Sequence, residues 1–460
     1  MSSTNQTMNF KAALLEDGWA TNVSISSVNG LISELIVEGV SRPEDYKGVA
    51  IPAMHNLHSH AFQRAFAGLA ENWSGGGDDF WSWRSAMYSF LKKMAPKDIE
   101  AISSQLYVEL LKEGYVSVGE FHYLHHGEGG KHFPSIAETS NKIFMGADNS
   151  GIALCHLPVL YQTKGFDRGI LGNYQLPFYN NNQSFMEIFE GCLGLAKDDI
   201  NKNVGVAFHS LRAVSETSMK SVQKSVQKLC PNAPIHIHIA EQTKEVLECL
   251  GEHSQRPVKW LLDNFEVGDN WCLVHATHMT DEETQELAKT GAIVGICPTT
   301  EANLGDGIFP SQKYLNFGGF FGIGSDSHIG RDPREELRLF EYAQRLIHQR
   351  RGILGNEKSK GIGRFLWENA ALGGAQALGF NSGVLKVGAR ADIAVLNENS
   401  PQIYGKKGDA ILDGFVFLSG QTPVKDVYVA GKKTIENGFH TNENVIFKNY
   451  KTSIDKLMDG

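Results

Sequence analysis

Histidines that close short apolar runs are the residues of this chain best suited to chemistry. His58-Ser59-His60 ends one such run, and a second run, IHIHIAEQ, carries His236 and His238. Side chains on a strand alternate between faces, so residues two apart point the same way. Each pair therefore presents two imidazoles together, and two neutral imidazoles on one face make half a zinc site. In IHIHIAEQ the isoleucines 235, 237 and 239 take the opposite face, and His238 lies nearer the strand end. His238 is thus the expected ligand and His236 a hydrogen-bonded core histidine. The run FFGIGSDS brings in Asp326, a carboxylate that is costly in apolar surroundings without a cation or partner. His58, His60, His238 and Asp326 together suffice for a catalytic site holding one metal ion and a water.

Glu241 follows His238 by three residues, and His275 lies in the next run, WCLVHATH. A bound metal lowers the pKa of its water toward neutrality. Asp326 can take the proton released, Glu241 can pass one to a leaving nitrogen, and His275 can stabilise developing charge. Other strand-end polar residues are His122, Tyr123, His209, Arg212 and His278. Some barrel hydrolases bridge a second metal with a modified lysine on the fourth strand. Here that run ends His209-Ser210-Leu211-Arg212, so one metal is expected. Zinc fits the set, and iron or manganese is compatible with it.

Such residues need a scaffold that brings many strand ends to one place. The apolar runs are VAIPAMHNLHSH, VSVGEFHYLHH, IALCHLPVLY, VGVAFHSLR, IHIHIAEQ, WCLVHATH, AIVGICPTT and FFGIGSDSH. Helical patterns lie between most of them, such as Pro96 to Gly114 and Asp332 to Arg350, where Pro333 suits a first helical position. Strands alternating with helices argue for a parallel sheet. Eight such runs predict an α/β fold, a TIM-like (β/α)8 barrel, over 51–382. Both flanks are rich in short β pieces. They predict a small β-sandwich domain built from residues 1–50 and 383–445, with 446–460 as a C-terminal tail. The stretch from Trp73 to Phe90, rich in glycine and aromatics, is expected as a long loop after the first barrel strand.

Composition narrows the function. The chain has 460 residues, 42% apolar and 21% charged, with a net charge of -9. That is the balance of an ordinary globular protein, and its acidity argues against a phosphate-tracking nucleic-acid binder. No apolar stretch of about 18 residues exists, so no membrane span is expected. The N-terminal residues lack the basic and apolar regions of a secretory signal. Six scattered cysteines without a C-x-x-C pair read as free thiols in a reducing cytoplasm.

Longer strings carry a resemblance. They are NLHSHAFQRAFAGLAE from Asn56, GEFHYLHH from Gly119, HSLRAV from His209, HIHIAEQ from His236, WCLVHATH from Trp271, CPTTEANLGDGIFP from Cys297 and GSDSHIGRDPREELRLFEYAQRL from Gly324. Over nearly its whole length the chain resembles the amidohydrolase superfamily. Within it, the chain most resembles the branch that hydrolyses N-formimidoyl-L-glutamate to N-formyl-L-glutamate and ammonia in histidine degradation. The resemblance implies zinc on His58, His60, His238 and Asp326, with Glu241 and His275 as the catalytic pair. It implies substrate contacts from Gln63, Arg84, Tyr123, His209 and Arg212, and a homodimer. The segment His328-Ile329-Gly330-Arg331 departs from the family string, which usually has a small polar and an apolar residue at its last two positions.

The implied substrate is a cationic amidine on a tail with two carboxylates. Arginine forks match carboxylates in bidentate fashion, so Arg84 and Arg212 are suited to that tail. A heterocycle deaminase would share the metal site and differ in these loops. A scaffold that had lost catalysis would usually lack a ligand or the acid/base carboxylate, and here every one is present.

Overall fold

The N-terminal segment alternates polar and apolar residues, as antiparallel strands with one buried face require. The computed structural model describes residues 5–37, 45–69, 71, 87, 90–355 and 361–459. Strands β1 (Asn5–Leu15), β2 (Gly18–Val28) and β3 (Leu31–Val37) pair antiparallel in sequence order. Asn29 and Gly30 join β2 to β3 with φ of 51° and 82°, the left-handed pair that a tight two-residue hairpin needs. Strand β4 (Val49–Pro52) returns parallel to β1, and a single residue, Ala53, then leads the chain into the barrel.

The barrel segment supplies β5 (Met54–Ser59), β6 (Tyr115–His122), β7 (Ala153–Leu160), β8 (Lys202–Val204) and β9 (Val206–Phe208). It continues with β10 (Ile235–Ile239), β11 (Trp271–His275), β12 (Ile293–Ile296) and β13 (Phe320–Ile323). Strand β8 extends the sheet beside β7. The other eight are parallel and close into a ring in the order β5-β6-β7-β9-β10-β11-β12-β13, with β13 pairing back to β5 at Ile323 and Asn56. Helices stand between successive barrel strands. The helix Pro333–His348, which follows the last barrel strand, shows why such helices form. Pro333 opens it, the Asp332 side chain accepts from the Arg334 N–H at 2.8 Å, and Leu337 and Phe340 lie on its buried face. Burying each of those two side chains contributes roughly 1.5–3 kcal/mol.

The helix Ile362–Ala377 seals the barrel against β5 and β13. A Cβ at Gly373 would collide with the Phe321 carbonyl, so glycine sets this close approach. The chain then returns to the terminal sheet as β14 (Ile393–Leu396), β15 (Val424–Val429), β16 (Lys432–Glu436) and β17 (Phe439–His440). The sheet has eight strands in the order β17-β16-β15-β14-β4-β1-β2-β3, so β4 is the seam between the two chain ends. It has an apolar core of its own, including Phe10, Val23, Ile25 and Ile393. The expected tail, 446–460, falls largely within a helix, Glu443–Met458. Lys112 reaches Glu443 at 3.0 Å and Lys456 reaches Asp98, tying that helix to Pro96–Lys112. Among the described residues no helix is long and apolar enough to cross a membrane.

Candidate active site

Strand β5 ends at His58-Ser59, and His60 follows at the barrel mouth. Strand β10 carries His238, and Asp326 lies just beyond β13. The four side chains converge. His58 Nε2 lies 3.0 Å from His238 Nε2 and 3.7 Å from Asp326 Oδ1, and His60 Nε2 lies 3.4 Å from the same oxygen. His236 points elsewhere, as its register predicts. It is fully buried and donates from Nε2 to the Ala377 carbonyl at 2.8 Å, at the end of the sealing helix.

A backbone carbonyl can only accept a hydrogen bond, and this fixes two tautomers. His60 Nδ1–H donates to Phe121 O at 2.9 Å, and His238 Nδ1–H donates to His209 O at 3.0 Å. Burial, aided by the neighbouring imidazoles, holds His238 well below its ordinary pKa. Burial pushes His60 down to about 3, although the Phe121 hydrogen bond opposes it. Both rings are therefore neutral, with an Nε2 lone pair aimed at the cluster. Lone pairs facing a buried carboxylate repel unless a cation stands among them. Three imidazole nitrogens and one carboxylate oxygen fit a borderline divalent cation, and His58, His60 and Asp326 bring their ligand atoms within 4.8 Å of one another.

A partly open cavity lies against this cluster. His60, His238, Asp326, Glu241 and His275 line it. So do Gln63, Tyr123, His209 and Arg212. Gln63 Nε2 donates to Tyr123 Oη at 2.9 Å, which joins two of the expected substrate contacts. Arg84, and most of the loop expected between Trp73 and Phe90, lie outside the described residues. His122 does not face the cavity. It is buried beside Thr139, 3.1 Å from its hydroxyl.

His275 is surrounded by carboxylates. Its Nε2 is 3.9 Å from Glu241 Oε1 and 3.7 Å from Asp326 Oδ2, and its Nδ1 donates to Glu301 Oε1 at 3.2 Å. Burial is the largest influence and works against its charge. Glu241, Glu301 and Asp326 together outweigh it and raise His275 to about 10. Burial also lifts Asp326 to about 7, against the pull of His275. Glu245 braces the turn behind Glu241, accepting from the Ala240 and Glu241 N–H groups at 3.1 Å each.

Sequence reasoning passed over Glu301, Tyr161, Phe178, Thr300, Leu304 and Ser327. Glu301 holds His275, and the other five line the cavity. Tyr161 had a usable signal, because it closes the third apolar run, much as Tyr123 lies near the end of the second. Glu301 lies one turn past Cys297, so a carboxylate soon after the seventh run was its only mark. In the atypical segment 328–331, Gly330 abuts Thr299, and Arg331 pairs with Glu109 at 3.0 Å.

A barrel with this cluster at its mouth defines a class. A model of the amidohydrolase family matches residues 49–434, and the chain belongs to that family, as a hydrolase acting on a carbon–nitrogen bond. The chain is 42% identical over 449 residues to a formimidoylglutamate deiminase of Pseudomonas aeruginosa, covering 97% of this chain and 98% of that one. The crystal structure of an amidohydrolase from Brucella melitensis matches it with a TM-score of 0.92 at 42% identity, over 98% of this chain and 100% of that chain. A 5-methylthioadenosine/S-adenosylhomocysteine deaminase of Haloarcula marismortui is more distant, 25% identical over 363 residues, 77% of this chain and 74% of that one.

Proposed function

We propose that this chain hydrolyses N-formimidoyl-L-glutamate to N-formyl-L-glutamate and ammonia, a step of histidine degradation, using one divalent cation, zinc by preference. His58, His60, His238 and Asp326 would hold the cation. When bound, it supplies Lewis acidity, polarising the formimidoyl group and making a water acidic enough to attack near neutral pH.

The protein groups do the rest. Asp326 accepts the proton lost by the attacking water as oxygen adds to the formimidoyl carbon. His275, held by Glu301, presents Nε2–H to charge developing on that oxygen. Glu241 delivers a proton to the terminal nitrogen, which leaves as ammonia when its bond to carbon breaks. The remaining carbon–oxygen bond becomes the formyl group, so one water enters and one ammonia departs. Arg212 takes a carboxylate of the glutamate tail, with Arg84 as its expected counterpart, and His209, Tyr123 and Gln63 add polar contacts.

The observation that carries this reading is that Arg212, His209, Tyr123 and Gln63 line the same cavity as Asp326, Glu241 and His275. A site for a neutral purine or pyrimidine has no use for a carboxylate-matching arginine there. The test is ammonia release by zinc-loaded protein from N-formimidoyl-L-glutamate, beside N-formimidoyl-L-aspartate, guanine and cytosine. Turnover confined to the first compound supports the reading, and turnover of a heterocycle in its place overturns the roles given to Arg212 and His209.

A further inference from the structure

Behind the histidine pair lies a carboxylate with no part in the chemistry above. Glu120 is fully buried on β6. Its Oε2 accepts from Ser59 Oγ at 2.6 Å and from Tyr107 Oη at 3.1 Å, while its Oε1 accepts from the Ala61 N–H at 2.7 Å. Two of its three donors thus belong to residues beside His58 and His60.

The strand register shows why they are needed. Between the pairs Asn56–Val118 and Ser59–Glu120, β5 advances three residues while β6 advances two. One extra residue is accommodated here, and such a bulge re-aims side chains at the cost of regular ladder bonds. Glu120 receives the Ala61 N–H just past the bulge. The next residue, Phe121, accepts from His60 Nδ1 through its carbonyl. Two consecutive residues of β6 therefore hold the turn. The hydroxyl of Ser59 also meets His328 Nε2 at 3.3 Å, and His328 Nδ1 meets Ser325 Oγ at 3.0 Å, beside Asp326. The contacts run unbroken from Glu120 to the far side of the cluster.

We infer that Glu120 is a positioning residue for the metal, fixing the bulged His58-Ser59-His60 turn so that both imidazoles meet one ion. This rests on the metal reading of the site. Partners behind metal ligands commonly change affinity tenfold to a hundredfold when lost.

The experiment is zinc affinity, measured by competition with a chromophoric chelator, for wild type, Glu120→Gln and Ser59→Ala, with the melting temperature of each metal-free protein. Glu120→Gln is expected to weaken zinc binding at least tenfold, and Ser59→Ala to weaken it in the same direction. The double variant should be no weaker than Glu120→Gln alone. A merely structural role would lower the melting temperature and leave the zinc constant in place. Zinc affinity within twofold of wild type in Glu120→Gln overturns the inference. If Glu120→Gln does not fold, Ser59→Ala decides by the same criterion. Wild type that binds no zinc would overturn the metal reading itself, and this inference with it.

Discussion

His275 Nε2 stands 3.7 Å from Asp326 Oδ2, and both residues hold left-handed backbone, with φ of 69° and 47°. Neither is glycine, so each conformation costs about 1–3 kcal/mol. Hydrogen bonds to the neighbouring strands hold them there. Asp326 N–H donates to His58 O at 3.0 Å, and the residue after His275 donates to Ile239 O at 3.0 Å. The barrel thus aims a carboxylate and an imidazole at one point through backbone that a relaxed strand end would not adopt.

The first consequence concerns Asp326. On the proposed reading it both completes the ligand set and accepts the proton of the attacking water. Asp326→Asn keeps the shape and removes the base, so turnover should fall by roughly a thousandfold or more, the middle to the top of the usual range for general-base loss. Steady-state kinetics on zinc-saturated variant protein checks this, and near-normal turnover would sink the scheme.

If His275 serves the reaction as proposed, Glu301 should act through it. Its Oε1 accepts from His275 Nδ1 at 3.2 Å and from the Cys297 N–H at 2.9 Å. Glu301→Gln leaves the cavity shape and weakens the orientation of His275. The expected result is a kcat lower by up to roughly a hundredfold, the low end of what a positioned acid or base contributes, with KM little changed. A change in KM alone would mean that Glu301 serves binding instead.

Arg212 should show the opposite pattern. A hydrogen bond to a charged group is worth about 1.5–3 kcal/mol, so Arg212→Gln should raise KM by roughly tenfold to a hundredfold. The effect should be smaller for a substrate analogue with one tail carboxylate amidated. Equal loss for both compounds would detach Arg212 from carboxylate binding.

A fourth expectation lies away from the site. Arg390 Nε donates to Asp392 Oδ2 at 2.8 Å, both side chains are buried, and Arg390 Nη1 reaches Ile200 O at 2.6 Å. The pair ties the return into the terminal sheet to the β7–β8 side of the barrel. Burial, the largest influence on Asp392, works against its charge. Arg390, with help from His55 and the Ala430 N–H, outweighs it and holds the carboxyl below its ordinary value. Asp392→Asn should cost about 3–5 kcal/mol near neutral pH, as breaking a buried pair does. A depressed folded-state pKa gives stability that is complete above the unfolded value, about 3.9, and is lost as pH falls through the folded one. The gap between wild type and variant in urea midpoint should therefore narrow below about pH 4. A gap that is flat or widens on acidification contradicts the assignment.

Much of this was legible because barrel chemistry sits at strand ends, and strand ends can be read from apolar runs. His58, His60, His238 and Asp326 each close or nearly close a run, and the two-residue period alone distinguishes His238 from His236. Glu301 and Glu120 were harder for a physical reason. Their work is done by contacts across the barrel wall, which neither period nor composition encodes. The bulge in β5 is invisible for the same reason, since it is a relation between two strands. The seam at β4 depends on one short strand pairing with both chain ends. The C-terminal helix was passed over because its pattern, with Ile446, Ser453 and Leu457 buried, is sparse and follows a run of strands.

A deiminase cuts the bond between the formimidoyl carbon and its terminal nitrogen. N-formimidoyl-L-glutamate labelled with 13C at that carbon and followed by NMR tests it directly. The label is expected in N-formyl-L-glutamate, with one equivalent of ammonia and no free glutamate. Label released as formamide together with free glutamate would contradict it, because the other carbon–nitrogen bond would then have broken.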